Sequence, residues 1–177
     1  MYNLIVAFDN KRGIGRENTL PWYFPEDLKY FSKLTKGNGN NAIIMGKNTW
    51  NSLPKKPLEK RDNLILSTTL NIEENIPKNN YVKTFKSIDT LEEFCKNQEY
   101  DEVWIIGGSE IYNLFMYQNK VKYIYATLIH EKYDCDCFFP TLDNWEIINQ
   151  EDKISKETKI SYIKYKKIDN NIYNFIL

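Results

Sequence analysis

Two apolar runs in this chain end in glycine and pass straight into helical patterns. One is Ala42-Ile43-Ile44-Met45-Gly46-Lys47-Asn48-Thr49-Trp50. The other is Glu102-Val103-Trp104-Ile105-Ile106-Gly107-Gly108-Ser109-Glu110-Ile111-Tyr112. A short apolar run bounded by a turn residue reads as a strand buried on both faces. A strand that feeds a helix implies a crossover connection, and crossovers build a mostly parallel sheet flanked by helices. Ligands of such sheets lie beyond the carboxyl ends of the strands, where strand order reverses. These two glycine turns are therefore the first places to look for chemistry.

The rest of the chain extends this pattern. Strands are expected at Tyr2–Phe8, Ala42–Met45, Asn63–Ser67, Tyr81–Phe85, Glu102–Ile106, Val121–Ile129, Trp145–Gln150 and Lys159–Ile168. Helices are expected at Pro25–Thr35, Lys47–Leu53, Thr90–Lys96 and Ser109–Met116. The expectation is one α/β domain over residues 1–177, with a mostly parallel twisted central sheet of about eight strands and about four flanking helices. Its C-terminal strand is antiparallel, in a terminal hairpin. Residues 169–177 are expected to be an extra strand or a docked tail.

Composition excludes several function classes. The 24 basic and 24 acidic residues balance, which argues against broad nucleic-acid binding. No apolar run approaches the roughly 20 residues of a membrane span. One histidine leaves no room for a His-based triad. Asp134, Cys135, Asp136 and Cys137 are adjacent, and strand neighbours point to opposite faces, so no metal site is expected there. Three cysteines give no disulfide framework and point to a reducing compartment. A monomeric, cytoplasmic protein without nucleic-acid or membrane partners is expected.

Glycine lets a backbone approach a ligand closely, and the free amides of a helix start attract phosphate. Both glycine turns fit a dinucleotide pyrophosphate, although each also fits a plain strand–helix turn. Lys47 adds positive charge beside one of them. A third strand end, Leu66-Ser67-Thr68-Thr69, offers hydroxyls that with Lys47 suit an extra ribose phosphate, favouring NADPH over NADH. No G-x-G-x-x-G opens the chain.

Asp27 is the candidate chemical centre. Helical spacing puts it on one face with Tyr30 and Phe31. A carboxylate on an apolar face is costly without a partner, and a ligand with paired N–H donors would supply one. Desolvation would raise its pKa toward neutrality. The plain alternative is a first-turn acid facing water, and Glu26 fits that description well.

Taken in order, these residues resemble dihydrofolate reductase, from Leu4 to about Ile168. Gly13-Ile14-Gly15-x4-Leu20-Pro21-Trp22 resembles the family's lid loop, and Asp27-Leu28-x2-Phe31 its pterin-pocket helix. Ile44-Met45-Gly46-Lys47-x-Thr49-Trp50-x-Ser52-Leu53-Pro54 and Ile106-Gly107-Gly108-Ser109-x2-Tyr112 resemble its two NADPH turns. Pro57-Leu58-x2-Arg61-x-Asn63-x2-Leu66-Ser67 carries an arginine similar to the one that grips the substrate's glutamate carboxylate. Asp136-x-Phe138-Phe139-Pro140 resembles a motif whose acid hydrogen-bonds to the lid.

The resemblance implies NADPH-dependent reduction of dihydrofolate to tetrahydrofolate, with antifolates as inhibitors. It implies catalytic roles for Asp27, Trp22, Leu20 and Thr127. The implied substrate contacts are Ile5, Ala7, Asp27, Leu28, Phe31, Ser52, Leu53, Leu58, Arg61, Ile106, Tyr112 and Thr127. The implied cofactor contacts are Ala7, Ile14, Gly15, Gly46, Lys47, Asn48, Thr49, Leu66, Ser67, Thr68, Gly107, Gly108, Ser109, Glu110, Ile111 and Tyr112. A cis Gly107–Gly108 peptide is implied as well. Cys137 departs from the family's usual threonine, and the loops Thr35–Asn41 and Pro54–Lys56 are longer than in compact bacterial forms. A pyrimidine reductase of flavin biosynthesis on the same fold, or a non-catalytic nucleotide-binding module, remains the alternative.

Overall fold

The computed structural model describes residues 1–76 and 80–169. The chain runs β1 (Tyr2–Asp9), β2 (Gly13–Gly15), α1 (Pro25–Lys36), β3 (Ala42–Gly46), α2 (Lys47–Ser52), β4 (Asp62–Leu66) and β5 (Glu73–Ile76). It continues with β6 (Asn80–Phe85), α3 (Ile88–Asn97), β7 (Val103–Gly107), α4 (Ser109–Tyr117), β8 (Val121–Ile129), β9 (Cys137–Phe138), β10 (Trp145–Ser155) and β11 (Thr158–Lys167).

Among the described residues, nine strands form the main sheet, in the order β10-β11-β8-β1-β7-β3-β4-β6-β5. The central pairs β8/β1, β1/β7, β7/β3, β3/β4 and β4/β6 are all parallel. The hairpin β10/β11 joins one side antiparallel, and β5 joins the other. The expected mostly parallel sheet, antiparallel C-terminal strand and four helices are present among the described residues. The ninth strand is β5, a short edge segment whose sequence does not alternate apolar and polar. Strand β10 runs on to Ser155 rather than stopping at Gln150, because an edge strand can carry exposed polar residues along its length. The expected extra strand or tail falls outside the described residues beyond Asp169.

Burial on both faces follows from strand alternation. Leu4, Val6, Phe8, Ile44, Leu64 and Ile105 pack on one face with Ile88 and Leu91 of α3 and Phe115 of α4. Their neighbours Ile5, Ile43, Met45, Ile65 and Trp104 pack on the other, with Phe31 and Leu34 of α1 and Trp50 of α2. Truncating a fully buried member such as Ile44 to alanine would cost about 2–5 kcal/mol.

Helix boundaries follow capping chemistry. Helix α3 begins at Ile88, earlier than expected, because the Ser87 hydroxyl accepts from the Thr90 amide at 3.3 Å. Proline opens α1, with Glu26 and Asp27 in its first turn. Neither α2 nor α4 has a side-chain cap, since glycine precedes each.

From β1 the chain skips a place to β3 and builds outward through β4 to β6. It then returns to insert β7 between β1 and β3, and adds β8 on the far side of β1. The order reverses beside β7. The carboxyl ends of β3 and β7, adjacent in the sheet, hold Gly46 and Gly107.

Candidate active site

The two glycine turns are packed without slack. Gly107 has φ +119°, which disfavours any side chain, and an added Cβ would lie 3.1 Å from the Tyr112 hydroxyl. The Gly107–Gly108 peptide is cis, as the resemblance implies. Tyr112, buried on α4, donates its hydroxyl to the carbonyls of Ile5 at 2.8 Å and Ile106 at 2.9 Å. It ties the helix start to β1 and β7. A Cβ on Gly46 would meet Ile111 at 3.0 Å, and one on Gly108 would meet Thr49 Oγ1 at 3.3 Å. Thus Thr49 and Ile111 hold the turns, while Lys47, Asn48 and Glu110 are exposed and Ser109 is half-buried.

The third strand end joins them as expected. Lys47 Nζ donates to Thr69 Oγ1 at 3.0 Å. Ser67 Oγ accepts the amides of Thr69 at 3.3 Å and Leu70 at 3.1 Å. Thr68 is exposed and Leu66 half-buried. One ammonium and two hydroxyls therefore gather at the surface beyond β4.

Asp27 sits half-buried in the first turn of α1. Thr127 on β8 donates to its Oδ1 at 2.7 Å. Burial pushes the Asp27 carboxyl up from its ordinary range, and the Thr127 hydrogen bond opposes that rise. Tyr162, opposite Thr127 in the β8/β11 ladder, packs on Tyr30 with ring centroids 4.3 Å apart. Burial, with the neighbouring tyrosines and Asp27, pushes the Tyr30 phenol up to about 12. Trp22 is buried among Phe24, Ile129 and Ile160, with Ala7, Tyr30 and Tyr133 against the same cluster. Its indole Nε1 has no hydrogen-bond partner among the described residues.

Ile5 and Phe31 lie in a second cluster with Leu53, Leu58 and Ile106. Leu20 is 55% exposed, and Leu28, the residue after Asp27 on α1, is 46% exposed, so Asp27 has an apolar neighbour at the surface. Ser52 is exposed and donates to Thr49 O within its own helix at 2.9 Å. Arg61 is buried. It donates through Nε to Glu59 O at 3.0 Å and through Nη1 to Thr35 Oγ1 at 2.6 Å, with Phe31 beneath its plane at 5.9 Å. Burial lowers its pKa to about 10, which still leaves it cationic at neutral pH.

The lid-like segment is anchored from outside. Asp136 accepts the Glu17 amide at 2.9 Å, and that bond holds its carboxyl below the usual range. The Asp136 amide donates to Gly15 O at 3.0 Å, and Arg16 pairs with Asp134. Ile14 is half-buried and Gly15 buried. Strands β2 and β9 pair at Gly13/Phe138 and Gly15/Cys137, so Cys137 occupies a strand position there.

A sequence model of the family described as dihydrofolate reductase matches residues 1–168. The chain belongs to the dihydrofolate reductase family. It is 39% identical over 148 residues to the dihydrofolate reductase of Drosophila melanogaster, covering 80% of each chain. To the dihydrofolate reductase of Bacillus subtilis it is 34% identical, over 85% of this chain and 83% of that one. The bifunctional dihydrofolate reductase-thymidylate synthase of Plasmodium berghei is 33% identical over 98% of this chain, which spans 36% of that relative. Membership of the dihydrofolate reductase family makes the chain an oxidoreductase. Among the described residues, no helix is long and apolar enough to cross a membrane.

Reading the sequence missed three side chains that hold this site. Thr35 receives Arg61, and its place four residues after Phe31, on one helix face, was the available signal. Asp9 lies on the Ile5–Ala7 face of β1, where an acid is unexpected. Tyr133, whose ring lies 5.1 Å from Trp22, gave no local signal.

Proposed function

We propose that this chain reduces dihydrofolate to tetrahydrofolate using NADPH, and so feeds one-carbon units into thymidylate and purine synthesis. The observation that carries this reading is Asp27. It is a half-buried carboxylate with raised pKa, bonded to Thr127 and followed on α1 by exposed Leu28. A pterin ring offers paired N–H donors to such an acid and an apolar face to Leu28.

The residues present fit NADPH. The uncapped start of α4 leaves amides free for a pyrophosphate. The glycine positions are ones that a Cβ would obstruct. Lys47 with Ser67 and Thr69 suits a ribose phosphate. When bound, the cofactor supplies a hydride.

Every other contribution comes from the chain. Asp27 anchors the pterin and favours its protonated form. Trp22 Nε1 and Thr127 are suited to hold a water that delivers the proton to the ring nitrogen. Ile5, Ala7, Leu28, Phe31, Leu53 and Ile106 wall the pocket, with Leu20 closing from the lid. Arg61, fixed by Thr35 and Glu59, keeps donors for the substrate's glutamate carboxylate. Antifolates that mimic the protonated pterin would occupy the same place.

The test is to mix protein, dihydrofolate and NADPH and follow NADPH absorbance, with NADH in parallel. Decay that needs both reactants and favours NADPH is expected. No decay above background at any pH would overturn the reading.

A further inference from the structure

Asp9 ends β1, opposite Ile129 in the β1/β8 ladder, and is 1% exposed. A buried carboxylate is costly unless hydrogen bonds replace its water. Here three backbone amides do so. Oδ1 accepts from Lys11 and Gly13, each at 2.8 Å, and Oδ2 accepts from Tyr133 at 2.8 Å. One carboxylate therefore joins the lid segment to the loop after β8. The joint is tight: a Cβ on Gly13 would lie 2.5 Å from Cys135 Sγ and 3.1 Å from Asp9 Oδ1. The Tyr133 ring in turn packs on Trp22.

We propose that Asp9 is a positioning residue that sets the start of the lid, at Lys11 and Gly13, in register with Trp22 at its far end for closure over the nicotinamide and pterin. This rests on the reading in the preceding subsection. Asp134 and Asp136 bind Arg16 and the Glu17 amide of the lid segment through their side chains, and among the described hydrogen bonds neither carboxylate is bonded to Tyr133 or Trp22. Only a two-sided acceptor can serve the Lys11 and Gly13 amides on one side and the Tyr133 amide on the other. An asparagine at position 9 keeps one oxygen. Whichever way its amide turns, an NH2 faces backbone donors on one side, so either the Lys11/Gly13 link or the Tyr133 link is lost.

The experiment compares Asp9→Asn and Asp9→Ser with the unmodified chain. Three quantities are measured: affinity for NADPH, affinity for 2′-phosphorylated ADP, which lacks nicotinamide, and kcat and KM for dihydrofolate. NADPH affinity is expected to fall about tenfold, the loss of one charge-assisted hydrogen bond. A fall in kcat is expected with it, while affinity for the fragment and KM for dihydrofolate stay unchanged. NADPH affinity and kcat equal to those of the unmodified chain would overturn the proposal. So would equal weakening of NADPH and the fragment. Failure of both variants to fold by circular dichroism would make Asp9 a folding element and likewise overturn it. If the unmodified chain does not oxidise NADPH with dihydrofolate, the underlying function fails first, which is a distinct result.

Discussion

Thr127 donates its hydroxyl to Asp27 at 2.7 Å, joining β8 to the first turn of α1 across 100 positions of sequence. A hydrogen bond to the ionised form lowers a carboxyl pKa, so this bond offsets part of the rise that burial imposes. Thr127→Val keeps the shape and removes the donor. Its Asp27 titration, followed by carboxyl NMR, is expected to lie higher than in the unmodified chain. kcat/KM at neutral pH should fall by about tenfold, the worth of roughly 1.4 kcal/mol.

The raised Asp27 pKa also has a sign in stability. Between the ordinary carboxyl value and the higher folded value, the folded protein holds a proton that the unfolded chain has released. Stability therefore falls as pH rises through that window, and the penalty is complete above it. Asp27→Asn carries no such penalty. The variant is expected to have the higher Tm at neutral pH, with the difference closing in acid below the ordinary carboxyl range. Thermal melts across pH read this directly, each kcal/mol being worth about 2–4 °C for a chain of this size.

Gly107→Ala places a Cβ against the Tyr112 hydroxyl and ring at a backbone φ of +119°. The expected cost is about 1–3 kcal/mol in urea denaturation. Because Tyr112 also ties β1 and β7 through Ile5 and Ile106, NADPH binding should weaken in the same variant. Gly39, with φ +97° and nothing within 4 Å, is the control for backbone strain without a packing clash.

Arg61→Lys removes a planar fork that is held by Thr35 and Glu59 O. Lysine offers a point charge without that geometry. KM for dihydrofolate is expected to rise about 10- to 100-fold, equivalent to one charge-assisted hydrogen bond, with kcat little changed. A pterin lacking the glutamate tail should not distinguish the variant from the unmodified chain.

Lys47→Gln leaves the Ser67 and Thr69 hydroxyls and removes the positive charge. NADPH affinity should fall about tenfold at low salt, and less at high salt, where screening already weakens an exposed charge. NADH affinity should be unaffected.

What was legible in the sequence had a local cause. Ile43-Ile44-Met45-Gly46 and Trp104-Ile105-Ile106-Gly107 announce buried strands and the turns that end them. Helical spacing puts Asp27 beside Tyr30 and Phe31, and both are packed against the interior. What escaped was long-range or sparse in pattern. Strand β5, at the sheet edge, has no apolar alternation. Strands β2 and β9 are too short to carry a period. The Arg61–Thr35 and Asp9–Tyr133 bonds join residues 26 and 124 positions apart. The Thr127–Asp27 pairing was reachable only through family resemblance, because nothing near Thr127 marks its partner.

The most direct test compares the unmodified chain with Asp27→Asn in the dihydrofolate and NADPH absorbance assay, across pH. The unmodified chain should turn over. Asp27→Asn should bind NADPH normally and lose at least about 100-fold in rate at neutral pH, recovering toward acid, where dihydrofolate becomes protonated without help. Equal rates for the two proteins at neutral pH would contradict the role given to Asp27.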